Sequence, residues 1–210
     1  MTLDRPAEPD GGAPRHVSVL VVGSGFAGLG LAIKLTRRGR SDFLVIDRGR
    51  EVGGTWRDNT YPGAACDVPS QLYSFSFAPN RDWTRSFSPQ PEIQAYLKSV
   101  ADRYGVRRNH LFDCELLSAG WDAAAGRWAV ETSKGSFTAD VLVTAFGALC
   151  EPALPEIKGI ETFAGQVMHS ARWDHDIDLS GKRVAVIGTG ASAIQIVPAI
   201  AGQVAHLDVY

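Results

Sequence analysis

The run Val17-Ser18-Val19-Leu20-Val21-Val22-Gly23-Ser24-Gly25-Phe26-Ala27-Gly28 decides how this chain folds. An apolar stretch broken only by Ser18 leads straight into a loop with glycine at its first, third and sixth positions. That pattern marks a buried parallel strand entering a tight turn. Beyond the loop, Leu29, Leu31, Ala32 and Leu35 supply the apolar stripe of a helix. It closes at Arg37-Arg38-Gly39, where basic residues and a glycine suit a helix C-terminus. Phe43-Leu44-Val45-Ile46 is the next strand, and Asp47 stands at its tip, 19 positions after Gly28. Residues 17–47 are therefore expected to form one βαβ unit. Gly23 would make the tight turn, Gly25 would let a pyrophosphate approach the backbone, and Gly28 would let helix and strand pack closely. The helix N-terminus offers N–H groups to phosphate, and the Asp47 carboxylate can accept from a ribose hydroxyl pair. Glycines alone would be weak evidence. Strand, loop, helix, strand and acid in this order point to a bound dinucleotide.

Residues 49–91 break with this regularity. They hold Gly53-Gly54-Thr55-Trp56, Tyr61-Pro62-Gly63 and five prolines, without a sustained period of 3.6 or 2. A stretch of this length is either functional or disordered, and aromatics such as Trp56, Tyr61, Tyr73 and Trp83 weigh against disorder. The expectation is a loop region ordered by a bound cofactor. Residues 92–101 restore a helix, with Ile93, Tyr96, Leu97 and Val100 on one face. Three β-like runs follow at 116–121, 128–132 and 137–143, parted by turns at Gly126 and Lys134-Gly135, and are expected to form an antiparallel meander. The last of them ends as a second buried strand, Val141-Leu142-Val143, reaching Gly147.

A proline-bearing connection over 151–180 contains Phe163-Ala164-Gly165-Gln166-Val167-Met168-His169-Ser170-Ala171-Arg172-Trp173-Asp174. Then Arg183-Val184-Ala185-Val186-Ile187 repeats the strand signal and runs into Gly188-Thr189-Gly190-Ala191-Ser192-Ala193, a loop of the same type with the permitted alanine in third place. A helix over 194–201 and a strand over 204–210 are expected to begin a second βαβ unit. The residue choosing between NAD and NADP would fall just past that strand, so the chain reads as stopping mid-unit. Two such loops imply two nucleotides.

Composition narrows the class without naming it. A net charge of −2 gives no electrostatic case for nucleic acid or an anionic membrane as partner. Basic residues at Lys34, Arg37, Arg38, Arg40, Arg48 and Arg50 read as a solvated helix face and strand end. Cys66, Cys114 and Cys150 are widely spaced with no C-x-x-C, which excludes a dithiol reductase motif and argues against a disulfide framework or a metal site. Residues 1–15 are polar and rich in Pro, Gly and Asp, a disordered tail rather than a signal peptide. No apolar run is long enough to span a membrane, so the expected location is cytoplasmic.

Taken with Tyr61-Pro62-Gly63-Ala64-Ala65-Cys66-Asp67 and Gln90-Pro91-Glu92-Ile93, the chain resembles the Baeyer–Villiger branch of the flavin-containing monooxygenases over about residues 15–210. The most specific part is the pattern F-x-G-x-x-x-H-x-x-x-W-D over 163–174. The fold class expected is α/β: a Rossmann-like FAD/NAD(P)-binding domain, its parallel sheet carrying an inserted antiparallel β-meander, followed by the start of a second dinucleotide-binding domain. The expected division is 1–15 tail, 16–150 FAD-binding domain, 151–180 linker with the fingerprint, and 181–210 incomplete NADP-binding domain. The resemblance implies FAD held by Gly23, Gly25, Ala27, Gly28, Asp47, Gly54, Thr55, Trp56, Asp67, Tyr73 and Leu116. It implies NADPH held by Gly188, Thr189, Gly190, Ala191, Ser192 and Gln195, with Ala65, Cys66 and Asp67 near the nicotinamide. Family members usually carry Glu where Asp47 stands.

Asp67 and His169 are the catalytic candidates by that resemblance. Asp67 would support an active-site arginine expected beyond Tyr210, and His169 would couple the two nucleotide domains rather than carry a proton. The implied activity uses FAD, NADPH and O2 to insert oxygen next to a ketone carbonyl, giving an ester or lactone. Two other readings stand beside it: oxygenation of a sulfide or amine, and a truncated FAD-binding piece without catalysis, which is the expectation for the 210 residues alone.

Overall fold

The computed structural model describes Pro6 and residues 13–210. Contacts divide the chain into two compact units, Met1–Arg57 with Gln94–Cys150 and Asp58–Ile93 with Glu151–Tyr210. Residues 58–93 group by contacts with the second unit.

The first unit is built on a six-stranded sheet of order β3-β2-β1-β6-β5-β4. Its elements are β1 (Arg15–Val22), α1 (Phe26–Arg37), β2 (Phe43–Ile46), β3 (His110–Leu111), β4 (Leu116–Asp122), β5 (Arg127–Thr132) and β6 (Gly135–Thr144). β1 opens at Arg15, inside the span read as tail; the remainder of that expectation, apart from Pro6 and residues 13–14, lies outside the described residues. β1 lies between β2 and β6, parallel to both, with Val21 paired to Val45 on one side and Val143 on the other. β4, β5 and β6 form the expected antiparallel meander. A strand flanked on both sides and covered on both faces is mostly apolar, which is why β2 reads as an unbroken run and β1, after Arg15 and His16, as a run broken only at Ser18.

One core cluster gathers Val17, Leu20, Val22, Leu44, Ile46, Leu111, Val130, Phe137 and Ala139. α1 buries Gly28, Leu29, Ala32 and Ile33; Ile33, outside the expected stripe, is fully buried, whereas Leu31 and Leu35 are only half-buried. Each fully buried side chain of this size contributes roughly 1.5–3 kcal/mol. The end of β6 departs from the sequence reading. Val141 is 49% exposed, and Leu142 and Val143 are half-buried. The physical reason lies in the pairing: β5 accompanies β6 only as far as Ala139, so beyond it the strand is flanked by β1 alone, with Leu142 still packed against the core cluster.

The second unit contains a parallel pair, β7 (Arg183–Val186) and β8 (His206–Val209), and the helix α2 (Ala191–Ile200). Its core is Tyr61, Ala64, Ile196 and Ile200, with Trp173, Leu179, Val184, Val204 and Leu207 packed against them. The tryptophan of the fingerprint is thus a core residue of this unit. The long loop is held by its own bonds: Cys66 N–H donates to Ser88 O at 2.9 Å, Gln90 N–H to Ala64 O at 2.8 Å, and the Ser70 and Ser88 hydroxyls meet at 2.7 Å. A further helix, Gln90–Arg103, exceeds the expected 92–101 at both ends and crosses the division between the units. Among the described residues, no helix is long and apolar enough to cross a membrane.

Candidate dinucleotide-binding site

The first glycine loop has the geometry that its sequence requires. Gly23 has φ +105°, and a Cβ there would stand 2.7 Å from the Ala145 carbonyl oxygen. A Cβ on Gly28 would come within 1.8 Å of the Gly23 oxygen, so the close packing of helix on strand admits no side chain. Gly25 is the N-terminal flanking residue of α1 and no side chain caps it. Across from it lies Gly54, with φ +54°, whose Cβ would be 3.0 Å from the Gly25 Cα. The bond from Gly53 N–H to Ser24 O, 3.0 Å, brings this second glycine pair to the loop. Two bare backbones facing one another beside an uncapped helix end form a cradle suited to pyrophosphate.

Asp47 is 7% exposed and fully engaged. Its Oδ2 accepts from the Ser24 N–H and from the Ser24 hydroxyl, both at 2.7 Å. Its Oδ1 accepts from Gly49 N–H at 2.7 Å and from Arg57 Nη1 at 2.8 Å. A carboxylate offers about four lone-pair positions, so these four donors fill Asp47 and a further donor would have to replace one of them. Arg57 also donates to the Glu51 carbonyl at 2.7 Å, and its guanidinium fills the space a Cβ on Gly49 would need. The sequence singles out neither Ser24 nor Arg57; the one available signal is that Ser24 lies inside the first glycine motif and Arg57 directly follows the second.

The remaining expected residues fall into two sets. In the first unit, Gly23, Gly25, Gly28, Asp47 and Gly54 come together; Ala27 and Thr55 are exposed, Trp56 is half-buried, and Leu116 lies in β4 against the core cluster. In the second unit, Ala65, Cys66, Asp67, Tyr73 and Gln195 are neighbours. Burial pushes the Cys66 thiol up, against a hydrogen bond from Tyr73, while Asp67 is exposed. His169 is half-buried and heads the short turn Ser170–Arg172, its Nδ1 accepting from the Ala171 N–H at 3.0 Å. In the neutral ring the proton therefore sits on Nε2. Gly165 leaves room for the Phe163 ring, which a Cβ would meet at 2.5 Å.

The second glycine loop repeats the backbone of the first. Gly188 has φ +115°, and Gly190 is the uncapped flanking residue of α2 with φ −75°. Gly188 N–H donates to Tyr210 O at 2.8 Å, as Gly23 N–H donates to Ile46 O at 2.8 Å. Thr189 and Ala191 are exposed and Ser192 half-buried. Gln195, read as an NADPH contact, has its side chain bonded to Tyr61 and Ala65.

The sequence model of the pyridine nucleotide-disulphide oxidoreductases matches residues 20–210. The chain belongs to this family. Its three cysteines, all free, include no C-x-x-C pair. A Baeyer–Villiger monooxygenase of Streptomyces coelicolor is 58% identical over 93% of this chain and 38% of its own length. One of Pseudomonas aeruginosa is 49% identical over 100% of this chain and 40% of its own length. The crystal structure of cyclohexanone monooxygenase from Rhodococcus sp. Phi1 bound to NADP+ superposes with TM-score 0.86 at 39% identity, covering 94% of this chain and 38% of that one. The chain thus spans about two fifths of the length of these relatives, and the Baeyer–Villiger resemblance drawn from its motifs is the one the comparisons return.

Proposed function

We propose that this chain carries the FAD site and part of the NADPH site of a flavin-dependent monooxygenase that inserts oxygen beside a ketone carbonyl, giving an ester or lactone. The observation that carries the reading is the facing pair Gly25 and Gly54 at the uncapped start of α1. FAD, when bound, supplies the redox and oxygen chemistry, with NADPH as reductant and O2 and a small ketone as co-substrates. The chain's own part is to bind and to orient. Gly25 and Gly54 admit the pyrophosphate, Ala27 and Gly28 present first-turn amides, and Asp47, held by Ser24 and Arg57, accepts from the ribose. Thr55, Trp56, Tyr73 and Leu116 complete the flavin side. Gly188 to Ser192 take the pyrophosphate of NADPH, and Ala65 to Asp67 lie beside the nicotinamide. The exposed Asp67 carboxylate is available to a cation, and His169 offers Nε2–H as a donor. The division into 16–150, 151–180 and 181–210, and a cytoplasmic location, belong to the same proposal.

Adding FAD to the purified chain and passing it through gel filtration tests the first half. Flavin absorbance should elute with the protein, and Gly25→Val should abolish it while leaving the circular dichroism unchanged. Elution of free flavin alone would overturn the site. Product analysis with this chain continued to the full length of its relatives, given NADPH, O2 and either a ketone or a thioether, tests the second half. Ester from the ketone is expected; sulfoxide alone would move the reading to sulfide oxygenation.

A further inference from the structure

The side chain of Gln195 is spent inside the second unit. Its Nε2 donates to the Ala65 carbonyl at 2.8 Å, and its Oε1 accepts from the Tyr61 hydroxyl at 2.9 Å and from the Ala65 N–H at 3.4 Å. Tyr61 is buried and Gln195 half-buried, so the amide works in partial shelter from water. Backbone packing brings the two segments to this distance: Gly63 has φ +80°, and a Cβ there would stand 2.5 Å from the Gln195 carbonyl oxygen. The far edge of the same loop is tied separately, by Cys66 N–H to Ser88 O and Gln90 N–H to Ala64 O. One edge is therefore held by backbone, and the other by a single glutamine.

We propose that Gln195 is a positioning residue for the loop 61–67, holding the Ala65-Cys66-Asp67 peptide through both ends of its amide rather than reading the nicotinamide nucleotide. Gln195 sits one turn into α2, just behind the uncapped Gly190. A nucleotide at Gly188–Gly190 and the loop that bears Asp67 are thereby joined through one turn of helix and one side chain. The link to chemistry rests on the function proposed above, in taking 65–67 as the segment beside the nicotinamide. The clamp itself rests on the distances alone.

The loop carries its own reporter. Cys66 is 4% exposed, within the clamped segment; Cys114, 1% exposed, reports unfolding of the other unit, and amide exchange in α2, which has to stay unchanged, reports unfolding of this one. With Cys150 replaced by serine, the chain is labelled with an aryl disulfide, and each cysteine is followed by peptide mass spectrometry. Gln195→Leu should speed labelling of Cys66 tenfold or more, and Tyr61→Phe severalfold, with the Cys114 rate unchanged in both. Gln195→Glu keeps the acceptor for Tyr61 and loses the donor to Ala65, so it should restore part of the protection. The double variant Tyr61→Phe with Gln195→Leu should label no faster than Gln195→Leu alone, since both act on one clamp. An unchanged Cys66 rate in Gln195→Leu would overturn the proposal, as would equal acceleration of Cys66 and Cys114 in both single variants. No nucleotide enters the measurement, so a separate NADP+ titration that shows no binding would sink the nicotinamide reading and leave the clamp intact.

Discussion

The two glycine loops share a backbone and differ in everything around it. Gly23 and Gly188 both take positive φ, Gly25 and Gly190 both stand extended and uncapped before a helix, and each first glycine donates to the neighbouring parallel strand at 2.8 Å. In the first loop an added Cβ collides at two of the three glycines, at 2.7 Å for Gly23 and 1.8 Å for Gly28, and at Gly25 it meets only the Gly54 Cα at 3.7 Å. Around Gly188 and Gly190 a Cβ would meet nothing within 4 Å. The third position shows the same contrast: glycine at 28, and at 193 an alanine that is buried all the same. The turn is a local property written in φ, whereas the crowding at Gly23 belongs to Ala145 and Phe146 and that at Gly28 to the Gly23 carbonyl packed beneath the helix. The first loop is crowded because Ala145, Phe146 and Asp47 converge on it.

The sharpest way to break this comparison is to add one methyl group to each loop. Gly28→Ala puts a Cβ onto the Gly23 carbonyl, backbone against backbone, where no rotamer can yield. Helix α1 has to lift from β1, at a cost on the order of 4 kcal/mol, and FAD retention should be lost with it. Chemical denaturation followed by tryptophan fluorescence measures the first effect. A loss below about 1 kcal/mol would mean that the helix gives way easily and that the crowding has no energetic weight.

Next in size is the carboxylate that only the first loop is seen to use. Asp47→Asn leaves Arg57, 13% exposed at its side chain, without its buried charge partner. Breaking a buried pair from one side costs about 3–5 kcal/mol, whereas replacing both partners is far milder. Asp47→Asn should therefore destabilise by about 3 kcal/mol, and adding Arg57→Met should return a good part of it. Equal stability of the single and double variants would show that Ser24 and Gly49, not Arg57, carry the value of this acid.

These residues also mark how far the sequence could be read. The strands 17–22 and 43–46 were legible because a strand buried between neighbours is apolar at nearly every position, Ser18 excepted, and the meander because its turns fall at glycines. The same rule misread Val141, whose apolar run looks buried while its neighbouring strand has already ended. Which residues fill the first loop was legible from spacing. That Asp47 is taken up by Arg57 was not, because a carboxylate at a strand tip reads the same whether its partner is a ribose or a guanidinium. The Tyr61–Gln195 bond joins residues 134 positions apart and has no local pattern at all.

A pH scan sharpens the comparison by acting on one unit only. His110 pairs with Val45 across β2 and β3, in the first unit, and is 3% exposed. Its Nδ1 donates to Val106 O at 2.8 Å, and its Nε2 is buried without a partner. Burial lowers its pKa to about 4, against smaller opposing pulls from the Val106 carbonyl and then Asp47. The folded state thus holds the ring neutral while the unfolded chain, near 6.5, takes up a proton. Stability from this group is complete above about pH 6.5, falls as pH drops towards 4, and levels off below that. The span corresponds to at most about 3 kcal/mol. Urea midpoints between pH 4.5 and 7 should slope for the wild-type first unit and flatten in His110→Leu; a slope that survives the substitution would assign the effect to other groups.

The smallest effects separate the two glycines of the second loop from each other. Gly188→Ala meets no atom, yet φ +115° is a conformation that alanine resists, so about 1–3 kcal/mol of backbone strain is expected. Gly190→Ala meets no atom either, and φ −75° suits alanine. What remains is the poorer helix entry of alanine relative to glycine, about 0.5–1 kcal/mol. The expected order in denaturation midpoints is Gly28→Ala worst, then Gly188→Ala, then Gly190→Ala. If Gly190→Ala proved as damaging as Gly28→Ala, something would have to crowd the second loop as Ala145 crowds the first. If Gly188→Ala were silent, the positive φ would be a convenience of the turn rather than its cause. The order of the three midpoints therefore tells local geometry apart from surrounding contact, using a single methyl group at each position.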